Sequence, residues 1–374
     1  MANTLSPIIT KVLGRFMLSL RGHTVMPMFV NNSFSADAKQ KGETVDITVG
    51  SALSVTDVSP GATPITPSDS APTTVPITLN NWKHVAIHLK DDELHKIDKD
   101  AMFMPVQMAS AATAMGDSIN DSIFLATKKF YGYAGVAGTT PFASSEQEFL
   151  DANLVLEQQL CPKGDRFCVI DPFAEAKALK LGVFKDVSQS GDPNLIREAI
   201  IGRKLGATWA QDQRVPLHTA GTSSGHLINN GGGYAAGTKT VTVDTGSGTM
   251  LVGDIITFAG VTGTYVVTSA LAANSVSFEP GLAGAVADNA AITVKASHRL
   301  NSVFHRDAIG FASRPMGSEM DKLLAGQVFP FIDPVTKMAF RVEVIRQNKQ
   351  WVWDIDCLWG VDCIRREFGC RIAG

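Results

Sequence analysis

The sequence predicts an α+β fold, and three observations predict it. The stretch 105–130, PVQMASAATAMGDSINDSIFLATKKF, puts Met108, Ala112, Met115, Ile119, Ile123, Ala126 and Phe130 at steps of three or four, which is one face of a helix. Strand and helix signals alternate from 144 to 216, as in a compact mixed unit. From 218 to 296 short β runs follow one another with hardly any helical period. A chain of 374 residues exceeds one small core, so two or three packed units are expected.

At the N-terminus, Ile8, Ile9, Val12, Leu13 and Phe16 give residues 1–22 the pattern of an amphipathic helix ended by Gly22. Lys11 and Arg15 interrupt it, which argues against a secretory signal. Its apolar face needs a partner, either in its own chain or in a neighbouring subunit. TVMPMFVNNSF and GETVDITVG alternate as strands, with Lys41-Gly42 as the turn between them.

The stretch SALSVTDVSPGATPITPSDSAPTTVP holds Pro60, Pro64, Pro67, Pro72 and Pro76, which forbid a packed core element. Apolar alternation resumes on both sides, at Val45, Ile47 and Val49 and at Val75, Ile77 and Leu79. An extended two-stranded excursion with a Pro-rich tip therefore fits better than a disordered linker. Ile77–Leu89 then reads as one strand, and Asp91 and Asp92 as the cap of a short helix.

The long helix is the spine of the prediction. Its 105–130 run spans roughly 39 Å at 1.5 Å per residue. Pro105 suits its first turn, Lys128 and Lys129 its last, and Gly132 its stop. Ala109, Ala111, Ala114 and Gly116 form a small-residue flank that another backbone could approach closely. YGYAGVAGTTPFA reads as a Gly-rich loop. A second helix follows, capped by Ser144 or Ser145, with Glu148 in a capping box and Phe149, Ala152, Leu156 and Leu160 on one face. FCVIDP is a buried strand and PFAEAKALKLG a helix capped by Asp171. IREAIIGRKLGATWAQDQRVP mixes a short helix with a strand.

Between 218 and 296 the β runs are KTVTVD, GDIITFAG, GTYVVTSAL, NSVSFEP and AAITVKA, separated by Gly, Asn or Pro. Such spacing predicts a small barrel or sandwich, and the return to mixed structure afterwards marks it as an insertion. The C-terminal KQWVWDIDCLWGVDCIRREFGCRI is apolar and strand-like, so it belongs in a sheet.

No chemistry stands out. Net charge is −3 with 18% charged residues, so nothing in the bulk charge would grip nucleic acid. The basic pairs Lys128-Lys129, Arg203-Lys204 and Arg365-Arg366 read as solvated faces or subunit contacts. No run of eighteen apolar residues occurs, so no membrane span is expected. The five cysteines lack a C-x-x-C pair, and reduced thiols are the reading, Cys363 and Cys370 included. His88, Asp91, Asp92 and His95 lie on a strand-to-helix path that would scatter them, so no metal site is expected. Gly221-Thr222-Ser223-Ser224-Gly225 matches G-x-S-x-G, yet HLINNGGGYAAG begins no helix as a nucleophile elbow requires. Walker A, dinucleotide-binding and H-E-x-x-H patterns are absent. No catalytic, cofactor-binding or metal residues are expected, and no cofactor.

The order of parts resembles the major capsid (coat) protein of tailed bacteriophages, of the short-tailed-phage type with an inserted β-barrel domain. Val252–Val261 looks like that insertion's strand-turn R-G-D-x-I-S-F-A-G-V, and NSVSFEP at 274–280 like a later barrel strand. Phe304–Pro315, FHRDAIGFASRP, resembles the segment after the insertion, and Leu358–Val361, LWGV, the closing strand of the outer domain. The order of parts matches along nearly the whole chain, while specific identity covers about forty residues. The insertion is shorter than in the family's best-known member. Asn229–Gly237, the loop that would reach a neighbouring capsomer, lacks the charges for its salt bridges.

The resemblance implies an N-terminal arm (1–45), an extended loop and the start of the peripheral domain (46–90), and a peripheral domain with the spine helix (91–143). An axial domain (144–217), an inserted β-barrel (218–298) and return strands (299–374) complete it. It implies a virion protein, assembled in the host bacterial cytoplasm, that forms hexamers and pentamers of itself around phage double-stranded DNA without reading its sequence. A scaffolding protein and a portal are the expected partners, and a decoration protein is left open. Two rival readings are a phage tail or carbohydrate-binding protein and, more remotely, a serine hydrolase using Ser223 with His298 or His305.

Overall fold

The computed structural model describes residues 6–34, 42–50, 53, 55, 57, 72–100, 105–185, 201–315, 328–347 and 350–374. Helix α1 (Ser6–His23) buries Val12, Leu13, Phe16, Met17 and Leu20 within its own chain. The strand expected after it is instead a one-turn helix, α2 (Met26–Phe29). Pro27 sits in the first turn, where no N–H is needed. Asn31 then makes only an isolated bridge to Gly310.

Strand β1 (Thr44–Val49) pairs antiparallel with β2 (Thr73–Thr78), from Thr44↔Thr78 to Val49↔Thr73. Most of the Pro-rich tip lies outside the described residues. The single strand expected over Ile77–Leu89 is two, because the Asn80 amide bonds the Thr78 carbonyl and the chain turns before β3 (Asn81–Lys90). In α3 (Asp91–Lys99), Glu93 accepts the Lys90 amide at 3.0 Å, so Asp91 and Asp92 fill the first turn and are not the cap.

Helix α4 (Val106–Thr127) runs unbroken through Gly116 for 22 residues, roughly 33 Å. Every residue of the predicted stripe is buried, and Phe124 joins it. The helix stops at Thr127, which leaves Lys128 and Lys129 just past its last turn. The expected Gly-rich loop contains a strand, β4 (Gly132–Gly135). Glycine permits this: a Cβ on residue 132 would lie 2.7 Å from the Cys370 Cβ of the neighbouring strand.

Helix α5 (Gln147–Gln158) buries Phe149, Ala152 and Leu156. Leu160, expected on that face, is 87% exposed, because the helix has ended and a φ of 57° turns the residue outward. The expected capping box is not formed: the N-cap is Glu146 rather than Ser144 or Ser145, and it makes no side-chain cap bond. Strand β5 (Arg166–Ile170) leads to α6 (Pro172–Ala178), where Asp171 accepts the Ala174 amide as predicted. Next come α7 (Gly182–Lys185), β6 (Arg203–Lys204) and β7 (Ala207–Gln211). The short helix expected from Ile196 begins outside the described residues.

Then β8 (Leu217–His218) precedes β9 (Leu227–Ile228), β10 (Thr240–Asp244), β11 (Ile255–Phe258), β12 (Tyr265–Ala272), β13 (Ser275–Glu279) and β14 (Ile292–Val294). Five of these, β10 to β14, are the predicted runs. The sheet order is β14-β11-β12-β13-β10-β9. A bridge between Leu227 and Ala291, with the Ile228 amide on the Ala290 carbonyl and the Ile292 amide on the His226 carbonyl, joins its two ends. It encloses its own core, including Ile228, Val241, Ile256, Val267 and Phe278. The chain leaves through β15 (His298–Arg299), which pairs with β8.

The remaining strands are β16 (Asn301–His305), β17 (Ile309–Arg314), β18 (Val328–Ile332), β19 (Ala339–Gln347), β20 (Gln350–Cys363) and β21 (Gly369–Ala373). One sheet runs β4-β21-β16-β5-β7-β6; in another, β3, β17 and β19 all pair with β20. A single apolar core extends from α1 through α4 to both sheets. The fold is mixed α+β.

Candidate functional site

The sequence-level chemistry does not assemble. Ser223 lies in irregular chain between β8 and β9, and its buried Oγ has no hydrogen-bond partner. His298 sits in β15, with Nδ1 donating to the Ala296 carbonyl at 2.9 Å, and His305 accepts the Asp307 amide at 3.2 Å. Neither histidine is bonded to Ser223. Asp91 takes a bond from Trp351 at 2.7 Å, and among the described residues no cluster of His, Cys, Asp or Glu is arranged to hold a metal. All five cysteines are free and buried. Of the basic pairs, Lys129 binds Asp362, Arg366 binds Glu279, and Arg365 lies over the Phe368 ring.

The concentrated polar chemistry is elsewhere, where the closed sheet meets the end of α4. His218 and His298 face each other across the β8–β15 pair, ring centroids 5.5 Å apart and both buried. His218 Nε2 donates to Asp254 Oδ1 at 2.9 Å. Asp254, fully buried, also accepts the Gly221 amide at 3.1 Å and the Leu251 amide at 2.7 Å. Residue 221 must be glycine, since a Cβ would stand 2.1 Å from the Thr249 carbonyl oxygen. From β21 the fully buried Arg371 donates to the Gly253 carbonyl at 2.7 Å and to the Lys128 carbonyl just past α4. One side chain thereby joins the last strand, the spine and the closed sheet.

A second contact lies at the end of β13. Glu279 accepts the Tyr131 hydroxyl at 2.7 Å and pairs with Arg366 and, at 3.3 Å, with Lys239. Burial works against its charge, but Tyr131, Arg366 and Lys239 outweigh it and hold the carboxyl below its usual range. Burial, reinforced by Arg371 and His218, pushes His298 down to about 4, so its imidazole is neutral at neutral pH. Burial also lowers Arg371, to about 9, with Asp254 opposing.

In sequence His298 stood out only as a remote hydrolase candidate and Arg366 only as half of a basic pair, and the other groups did not stand out. The available signals were an Asp and an Arg inside apolar strand runs, DIITF and CRI, and a histidine at each boundary of the insertion.

These contacts join the closed sheet to the spine and to the last strand. No family model matches the chain, and no curated protein matches it. Solved structures do match. One titled Mycobacterium phage Che8 aligns over 94% of this chain and 91% of its own, with a TM-score of 0.52 and 12% identity. The mature capsid of bacteriophage PhiM1 aligns over 94% and 87%, with a TM-score of 0.48 and 10% identity. The capsid of cyanophage P-SCSP1u aligns over 94% and 86%, at 0.47 and 11%. The chain has the fold of the Che8 phage protein.

Proposed function

We propose that this chain is a major capsid protein that self-assembles into the icosahedral head shell enclosing phage double-stranded DNA. One observation carries the reading: terminal helix, two-stranded hairpin, spine helix, mixed sheet, closed sheet and returning strands follow one another along the chain, within a fold shared with a phage protein. The role is structural rather than enzymatic, and the chain is a virion component.

In this reading residues 1–45 are the N-terminal arm, 46–90 the extended loop and 91–143 the peripheral domain around α4. Residues 144–217 belong to the axial domain, 218–298 to an inserted β-barrel, and 299–374 return through both. The β1–β2 hairpin lies over an adjacent subunit, and its prolines discourage unintended strand pairing. Many modest contacts repeated by symmetry in hexamers and pentamers hold the shell. A scaffolding protein and a portal guide its closure in the host cytoplasm, and the near-neutral charge lets DNA enter and leave.

The test is electron microscopy of the chain expressed with a scaffolding partner, beside a variant lacking residues 54–72. The full chain is expected to give closed shells, and the deletion a folded subunit that fails to assemble. Small oligomers from the full chain under all conditions overturn the reading.

A further inference from the structure

We propose that the seat of the closed sheet is an acid-sensitive latch: at neutral pH the His218–His298 neck and Glu279 hold the sheet against the end of α4, and acid frees it to turn on the neck. The inference stands on the seat alone, whatever assembly the chain forms.

The covalent connection to the sheet is only the two strands β8 and β15, each of two residues. Their pairing places His218 directly opposite His298. Among the described residues, four titratable groups face His298. His218 comes from β8, Tyr133 from β4 at 5.6 Å between ring centroids, Arg371 from β21, and Asp254 from the turn before β11. The Asp254 carboxylate is already taken by His218, Gly221 and Leu251, and His298 Nε2 has no partner. A proton arriving at Nε2 therefore creates a buried cation beside Arg371 with no carboxylate of its own. Glu279 faces Tyr131, Arg366 and Lys239, and neutralising it leaves Arg366 half-buried without its counter-ion.

Both groups act in the same direction. His298 is depressed in the fold, so its neutral form stabilises the seat above pH 6.5 and that stabilisation is lost as pH falls towards about 4. Glu279 is depressed as well, so its contribution is present above the ordinary carboxylate range and lost as pH falls through its lowered value. The core of the closed sheet, with Val241, Ile256, Val267 and Phe278, is apolar.

Amide hydrogen exchange of the full chain at about pH 7.5 and about pH 4.5, corrected for intrinsic rates, reads the latch directly. The Arg299 amide, bonded to the Gly374 carbonyl, and the Leu300 amide, bonded to Pro216, should lose between roughly tenfold and hundredfold in protection. Val267 and Phe278 inside the closed sheet, and Phe311 in β17, should keep theirs. His298→Asn retains a donor at the position of Nδ1 for the Ala296 carbonyl but cannot become charged, and should abolish most of the loss; Glu279→Gln reports the remainder. Neck protection unchanged by acid, neck protection falling in step with Val267 and Phe278, or a full acid response in His298→Asn overturns the proposal.

Discussion

Asn120, fully buried in the middle of α4, donates from Nδ2 to Asp212 Oδ2 across 2.8 Å, while its Oδ1 accepts the Met26 amide at 3.2 Å. One side chain thus ties the spine to α2 on one flank and to the turn after β7 on the other. Asn120→Ala strands a buried amide and a buried carboxylate together. The expected loss is about 1–3 kcal/mol, read as a lower urea midpoint at an unchanged denaturant slope.

Asp212 carries a pH signature of its own. Burial raises its pKa, Asp117 and Asp121 add to the rise, and the Arg214 amide and guanidinium oppose it. A carboxyl raised in the fold contributes stability below its unfolded pKa and loses it as pH rises through the folded value. The stability gap between Asp212→Asn and the native chain should therefore move in the variant's favour as pH rises from 4 to 7. Equal gaps at both pH values would contradict this.

The two faces of α4 should respond differently to truncation. Ile119 is fully buried, and Ile119→Ala is expected to cost about 2–5 kcal/mol of subunit stability. Leu125, 54% exposed, should change subunit stability by no more than about 0.5 kcal/mol when made Ala. Denaturation curves of the two variants side by side check the assignment of faces.

The thiols should be inert. Burial pushes Cys357 up to about 12, against a Ser313 hydrogen bond, and raises Cys168, Cys363 and Cys370 as well. A chromogenic disulfide reagent should leave the folded chain unlabelled over minutes and titrate all five cysteines in denaturant. Rapid labelling of the folded chain would show that the core around β20 and β21 opens.

What the sequence made legible was periodic structure. The α4 stripe and the five β runs of the insertion were readable because each repeats its own period against a nearby apolar partner. Of three failures, two have a cause in long-range contact and the third is local. The strand at 132–135 was hidden because Gly132 is selected by the closeness of Cys370 and Gly135 by that of Ala373, both far along the chain. Met26–Phe29 alternates like a strand, yet Pro27 and the hold of Asn120 on the Met26 amide make it a helical turn. Leu160 fits the α5 period by spacing but falls after the helix has ended. The seat was invisible through long-range contact too, since His218, Asp254, His298 and Arg371 meet only once the closed sheet is docked.

Cryo-electron microscopy of particles assembled from the purified chain with a scaffolding partner tests the central claim most directly. The account predicts closed icosahedral shells in which this chain forms pentamers and hexamers, with the β1–β2 hairpin reaching over the adjacent subunit. Trimers or open tubes would contradict it.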